Sequence, residues 1–325
     1  MKIIRTLDQQ VSGSDGMVVA VGNFDGVHLG HRKVLERCRL LASDNAAEAW
    51  ALTFDPHPQR IVRPAQPPPL LMTLTDKLER IESLGMDGVL VVPFDQTIAA
   101  QKPAEFISSL IKTLPGLTHM VVGPNWRFGH HAAGTIDTLA ELGEEQGFKV
   151  DVCDPCAYAG KPISSTRLRN AVKSGRLDEF REMSGRPYRL RGTVIRGKQV
   201  GRALGFPTAN LEPATEVLPP YGVFAVRVEF ENQQTSGAGY FGRRTGAGSA
   251  ELKNLFETYL FDFEGDLYGK LIEVDLLSFI RPDQRFESET ALQSQIREDI
   301  EAIRSVLSAL PEPSGNVLTR RRGTR

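Results

Sequence analysis

The sequence predicts two units of different class: an α/β unit with a parallel sheet, then a small antiparallel β-barrel followed by a terminal helix. Three observations predict this. In the first half, short apolar runs alternate with amphipathic helical stretches, the pattern of a parallel sheet with crossover helices. Beyond residue 187, β-rich segments succeed one another through Gly- and Pro-bearing turns with no helix between them. Residue usage also switches: all six His (28, 31, 57, 119, 130, 131), all three Cys and both Trp lie at or before Cys156, and all six Tyr lie after it. A length of 325 residues agrees with two domains, given roughly 150 residues per domain.

The elements follow in order. Apolar runs at 17–21, 50–54, 89–92, 120–122 and 150–152 read as buried strands. Between them, Val34, Leu35, Cys38 and Leu41 share one helix face, Leu78, Ile81 and Leu84 a second, and Phe106, Ile107, Leu110 and Ile111 a third. Residues 164–180 read as one further helix and 183–187 as a linker. The barrel strands are expected at 188–195, 223–230, 256–263 and 271–278. A last helix starts near Ser288, with Leu292, Ile296, Ile300, Ile303, Leu307 and Leu310 as its apolar stripe. Residues 311–325, ending in Thr-Arg-Arg-Arg-Gly-Thr-Arg, read as a solvated basic tail.

Composition excludes several classes. Lys plus Arg number 39 and Asp plus Glu 40, a net charge of −1 that argues against a nucleic-acid partner. No apolar run reaches the roughly 18 residues of a membrane span. The expected address is the cytoplasm, and assembly into a homo-oligomer is left open by the sequence. Cys153-Asp-Pro-Cys156 spells C-x-x-C, yet a zinc knuckle needs a second pair and a redox pair normally opens a helix. A loop follows here, so two reduced thiols at a strand end are expected.

Residues just past the strands are the candidate site residues, because ligands in open parallel sheets bind at the carboxyl ends. After the first strand stands Gly22-Asn23-Phe24-Asp25-Gly26-Val-His28-Leu-Gly-His31, then a helix. Glycines admit a close ligand, and a helix N-terminus offers free N–H groups to an anion. His28 and His31, three apart, aim from the same turn and suit charge developing on a phosphate. A zinc site of His28, His31 and His57 is the competing reading, against which the glycine-rich cradle speaks. Phe54-Asp-Pro56-His57-Pro58 follows the second strand as a rigid shelf, and Gly123-Pro-Asn125-Trp-Arg127-Phe128-Gly129 follows the fourth. Ser164-Ser165-Thr166-Arg167 opens a helix with capping hydroxyls and a cation suited to phosphate.

These strings resemble the FMN adenylyltransferase module of bacterial bifunctional riboflavin kinase/FAD synthetases, within the nucleotidylyl transferase superfamily. The resemblance implies a Rossmann-like domain in which the FMN phosphate attacks the α-phosphorus of ATP. It assigns His28 and His31 to the ATP phosphates as catalytic groups. Gly22, Asn23, Phe24, Asp25, Gly26, Asn125, Arg127, Ser164, Ser165, Thr166 and Arg167 go with the nucleotide. Phe54, Pro56, His57, Pro58 and Phe128 border the flavin. Many relatives carry Asp where Asn125 stands.

In the second half, Gly201-Arg202-Ala-Leu-Gly205-Phe-Pro207-Thr208-Ala-Asn210 is a glycine-flexed loop ending in two oxygen-bearing side chains. In extended chain, i and i+2 share a side, so Thr208 and Asn210 suit a hard cation such as Mg²⁺ held with substrate phosphates. A turn with capping residues explains the segment equally well by itself. With Leu218-Pro-Pro-Tyr-Gly222 and the string from Glu257 to Gly269, it resembles riboflavin kinase. That resemblance makes Glu257 the general base on the ribityl hydroxyl and Thr208 and Asn210 the Mg²⁺ ligands. Gly201, Arg202, Gly205 and Pro207 then serve ATP. One departure stands out: Gly242-Arg-Arg-Thr245 lacks the proline of the usual G-x-R-P-T. The expected division is 1–185 for adenylyl transfer, 186–310 for the kinase and 311–325 for the tail, with ATP, riboflavin, FMN and FAD as substrates and products. A barrel that only binds flavin beside a monofunctional FAD synthetase is the alternative.

Overall fold

The computed structural model describes residues 1–11, 16–197, 201, 204–231, 233–245 and 252–310. Arg202 and the basic tail lie outside the described residues. The chain forms two compact units. One comprises Met1–Ser174, Glu179–Arg186 and Thr215–Leu218, and the other comprises Gly175–Asp178, Pro187–Ala214 and Pro219 onward.

The first unit is built on a six-stranded, all-parallel sheet of order β1-β4-β3-β2-β5-β6: β1 (Lys2–Ile4), β2 (Met17–Val21), β3 (Glu48–Asp55), β4 (Gly88–Pro93), β5 (Leu117–Val122) and β6 (Lys149–Val152). Pleating divides the apolar residues of each strand between two cores. On β2, Met17, Val19 and Val21 face one layer with Trp50, Phe106 and Leu110, while Val18 and Ala20 face the other with Phe24, Leu35 and Ile81. Helices cover both faces, so the strands read as continuous apolar runs. These helices are α1 (Leu29–Asp44), α2 (Pro58–Val62), α3 (Leu74–Ser83), α4 (Gln96–Ala100), α5 (Pro103–Thr113) and α6 (Ile136–Gln146). Two short strands, β7 (Ala157–Tyr158) and β8 (Lys161–Pro162), pair before α7 (Ser165–Lys173). From Thr215–Leu218, Glu216 pairs with Arg60 and accepts the Leu70 N–H at 2.9 Å.

The single helix expected over 164–180 is two, α7 and α8 (Leu177–Ser184). Gly175 takes φ of +69°, a left-handed conformation that ends a helix and is nearly free only for glycine.

The second unit is a closed antiparallel barrel of order β10-β13-β12-β11-β14-β9. Its strands are β9 (Tyr188–Ile195), β10 (Ala209–Leu211), β11 (Gly222–Phe230), β12 (Gln233–Thr245), β13 (Leu252–Leu260) and β14 (Leu271–Pro282). The strand expected at 256–263 thus begins and ends earlier, and β10 and β12 add to those expected. Phe224 and Phe256 meet inside at 5.9 Å. Val223, Ala225, Phe261 and Leu277 face outward and are covered by Ile303 of α9 (Glu289–Ala309), capped by Ser288. At the place where the resemblance implies a proline, Gly242–Thr245 continues β12 and pairs with 252–255. Without proline every residue keeps an N–H for the ladder.

Candidate active sites

Strand order puts the sequence motifs of the first unit side by side. β2 lies between β3 and β5, and all three run parallel, so their carboxyl ends share one edge. The 22–31 segment leaving β2 is therefore flanked by the 54–58 shelf leaving β3 and the 123–129 turn leaving β5. Connections from β2 and toward β5 go opposite ways along the sheet, which makes this the topological switch point where ligands bind.

His28 caps α1. Its Nδ1 accepts the His31 N–H at 3.2 Å, and the two rings stack at 3.7 Å between centroids. With Nδ1 as acceptor, neutral His28 carries its proton on Nε2 and donates from there. Burial pushes the His28 pKa down to about 4 and holds His31 well below the usual imidazole range, so both are neutral at pH 7. His31 Nδ1 is buried without a partner. The N–H groups of Leu29 and Gly30, in the first turn of α1, have no intrahelical acceptor, a donor set that suits an anion. His57 repeats the arrangement. It caps α2, its Nδ1 accepts the Gln59 N–H at 3.2 Å, and burial takes its pKa to about 4.

The other expected residues divide between cradle and scaffold. Gly22 and Asn23 are half-buried and exposed at the mouth, whereas Phe24, Asp25 and Gly26 are buried beneath it. Ser164 caps α7 by accepting the Arg167 N–H, and Ser165 Oγ donates to the Asp25 carbonyl at 2.9 Å. Thr166 is exposed. The Arg167 guanidinium donates to the carbonyls of Lys161, Pro162 and Tyr158, so three of its five donors hold the β7–β8 hairpin. Asn125 and Arg127 are exposed on the turn after β5. Phe54 and Phe128 are buried walls, joined through Phe106 at 6.4 and 6.3 Å. Pro56 is exposed and Pro58 half-buried.

Four further residues lie here to which the sequence reading gave no role. Arg169, buried on α7, donates to Asp25 Oδ2 at 2.6 Å and to the Pro69 carbonyl at 2.7 Å. Lys77, buried on α3, donates to Thr53 Oγ1 at 3.3 Å. Trp126, half-buried and stacked on Phe128 at 4.5 Å, and Phe94, edge-on to Phe54 at 5.5 Å, form the accessible rim of the aromatic cluster. The signal for both cations is helical spacing. Positions 74, 77, 78 and 81, like 165, 168, 169 and 172, form one buried-facing stripe, and each stripe carries one charge.

In the second unit, register assembles the expected residues. Asn210 lies directly opposite Glu257, and Glu257 opposite Tyr240. Directly paired residues present side chains on one face. Val223, opposite Tyr240, and Arg281, opposite Val223, continue the same row. It lies on the outer face, where Arg281 reaches Asp299 of α9 through two bonds of 2.7 Å. Thr208 Oγ1 is 3.5 Å from Glu257 Oε2, and Asn210 Nδ2 is 3.4 Å from the Thr208 carbonyl. Gly201 accepts the Phe206 N–H at 2.7 Å, so the loop carrying Gly205 and Pro207 closes just before Thr208.

The FAD synthetase family profile matches residues 11–167 and the riboflavin kinase profile residues 184–307. The bifunctional riboflavin kinase/FMN adenylyltransferase of Pseudomonas fluorescens is 33% identical over 97% of this chain and 100% of its own length. That of Escherichia coli K12 is 34% identical over 92% and 96%. The chain belongs to the bifunctional riboflavin kinase/FMN adenylyltransferase family. It is accordingly an enzyme with two activities, phosphorylating riboflavin to FMN with ATP and adenylylating FMN to FAD. In fold, it is similar to a crystal structure from Streptococcus pneumoniae named as a macrolide-efflux protein, with TM-score 0.85 and 26% identity over 94% of this chain and 99% of that one. Among the described residues no helix is long and apolar enough to cross a membrane. Cys153 and Cys156 are free thiols just past β6.

Proposed function

We propose that residues 1–185 carry FMN adenylylation at the β2 edge and residues 186–310 carry riboflavin phosphorylation at the Thr208–Asn210–Glu257 cluster. For the first step, the supporting observation is the His28–His31 bond, which leaves neutral His28 with its proton on Nε2 at a helix start. An FMN phosphate oxygen forms a bond to the α-phosphorus of ATP, the bond from that phosphorus to the bridging oxygen breaks, and pyrophosphate leaves. His28, His31 and the first-turn N–H groups hold the non-bridging oxygens as charge develops, the kind of preorganised donor set that lowers such barriers. Trp126 and Phe94 offer the isoalloxazine ring a rim, with Phe54 and Phe128 behind. Asn125, Ser164 and Ser165 line the nucleotide side.

For the second step, Glu257 takes the proton of the ribityl 5′-hydroxyl while that oxygen bonds to the γ-phosphorus of ATP and ADP leaves. A hydroxyl, an amide and a carboxylate gathered on one face are hard oxygen donors, which fits Mg²⁺. Thr208 and Asn210 would hold it, and bound Mg²⁺ neutralises phosphate charge. Unpaired cysteines and ATP as co-substrate favour a cytoplasmic setting.

The test crosses two variants of the full chain. His28→Ala should lower FAD formation from FMN by about 100-fold or more and leave riboflavin phosphorylation intact. Glu257→Gln should lower phosphorylation by about 100-fold or more and leave adenylylation intact. Glu257→Gln that phosphorylates riboflavin at the wild-type rate would overturn the kinase assignment, and His28→Ala that forms FAD at the wild-type rate would overturn the adenylylation site.

A further inference from the structure

Two cations of the first unit are buried among the described residues, Arg169 and Lys77, each under 9% exposed. Their environments differ. Arg169 is matched by the Asp25 carboxylate and the Pro69 carbonyl. Lys77 has three donors and gives one to a neutral hydroxyl, Thr53 Oγ1; no carboxylate of the described residues lies within ion-pair distance of it. The acids whose field it feels, Asp25 and Asp55, act from further off. Removing an ammonium from water costs several kcal/mol unless an anion compensates. A leucine or methionine would fill the same stripe of α3, beside Leu78 and Ile81, without that cost.

The position of Lys77 points to the missing anion. Thr53 Oγ1, which accepts from Lys77, donates to the carbonyl of Asn23 at 3.1 Å, inside the loop leading to His28. Thr53 and Asp55 share one side of β3, just before the His57 shelf. The Lys77 charge is felt at both His31 and His57, the imidazoles on either side of the cradle. Those imidazoles are neutral and supply hydrogen bonds without charge. Arg167 is held by the hairpin carbonyls and Arg169 by Asp25. A reaction that joins two phosphate groups and expels pyrophosphate gathers several negative charges at this edge, and among the described residues of this unit Lys77 is the buried cation not matched by a carboxylate.

We propose that Lys77 is a catalytic residue of adenylyl transfer, its ammonium contacting the phosphate oxygens of the reacting nucleotide from beneath the Asn23–His28 loop. This rests on the assignment of adenylyl transfer to the first unit. The test compares wild type, Lys77→Met and Lys77→Arg as full chains, measuring kcat and KM for FAD formation from FMN and ATP. Riboflavin phosphorylation and tryptophan-monitored unfolding are read on the same samples.

Lys77→Met should unfold at or above the wild-type midpoint, since a buried charge is removed. Its kcat should fall about 100-fold or more with KM nearly unchanged, the signature of an interaction strengthened in the transition state. Lys77→Arg should recover part of kcat, and ethylammonium added to Lys77→Ala should do the same. A folded Lys77→Met with kcat within threefold of wild type overturns the proposal. Should that variant not fold, wild-type enzyme with ¹³Cε-labelled lysine decides. A Lys77 resonance, assigned by its absence from Lys77→Arg, that moves on adding pyrophosphate supports the contact, and one unmoved at saturation overturns it. FAD formation by His28→Ala at the wild-type rate would instead overturn the site assignment, so the two failures are distinct.

Discussion

Arg169→Met tests the pair that holds the nucleotide loop. Asp25 and Arg169 have side chains 2% and 10% exposed and meet at 2.6 Å, with Asp25 Oδ1 also accepting the Leu71 N–H at 3.0 Å. Burial pushes the Asp25 carboxyl up, and Arg169, Leu71 and Lys77 pull against it. Taking away the guanidinium leaves a buried carboxylate with one neutral donor and deprives the Pro69 carbonyl of its 2.7 Å partner. Breaking a buried pair from one side costs about 3–5 kcal/mol. With a urea slope of about 2 kcal/mol per molar, the unfolding midpoint should fall by about 2 M. Both tryptophans, Trp50 and Trp126, belong to the first unit, so intrinsic tryptophan fluorescence follows that unit without a contribution from the barrel. Asp25→Asn should also destabilise, and the double variant should lose at least about 2 kcal/mol less than the sum of the singles. Additive singles, or a midpoint shift below about 0.5 M, would refute the pairing as the source of loop stability.

Two further outcomes are expected. His28 and His57 titrate near 4 in the folded protein against a usual 6.5, so between these values the unfolded chain binds more protons. Their contribution to stability is complete above pH 6.5 and is lost as pH falls toward 4. It amounts to about 2 kcal/mol each between pH 7 and 5, read by tryptophan fluorescence in urea, and His57→Gln should flatten that dependence. Arg281→Met leaves Asp299, 7% exposed, with Gln295 Nε2 at 3.2 Å as its remaining side-chain partner among the described residues. Riboflavin phosphorylation should then be lost at lower temperature, from a destabilisation of about 3 kcal/mol, while FAD formation from FMN keeps its wild-type profile.

Much of the site was legible because its residues are contiguous. Gly22 to His31, Phe54 to Pro58 and Ser164 to Arg167 each combine a chain reversal with chemistry-bearing side chains, and such strings survive without three-dimensional context. Lys77 and Arg169 were not read because an apolar stripe is found by counting apolar residues, which passes over the charges within it. β12 was not read for a related reason. Its sequence, Gln-Gln-Thr-Ser-Gly-Ala-Gly-Tyr-Phe-Gly-Arg-Arg-Thr, contains three glycines and has low strand propensity. The barrel demands them: a Cβ on Gly239 would lie 2.6 Å from the Phe256 ring, so the small residue answers a neighbour on another strand.

The sequence by itself determined that this protein joins an α/β unit rich in histidine to a β-barrel without any, and which loops carry its chemistry. Periodicity and local turn chemistry act over a few residues, so they are written in order along the chain. Which loops share an edge was decided by tertiary structure alone. Placing β2 between β3 and β5 brings residues 28, 57 and 125 to one rim, and pairing β10 with β13 sets Asn210 against Glu257 across 47 positions of sequence. The matching of Arg169 to Asp25, and the absence of such a match for Lys77, were likewise decided there. The cost of burying a charge depends on what surrounds it in space, and no spacing along the chain records that.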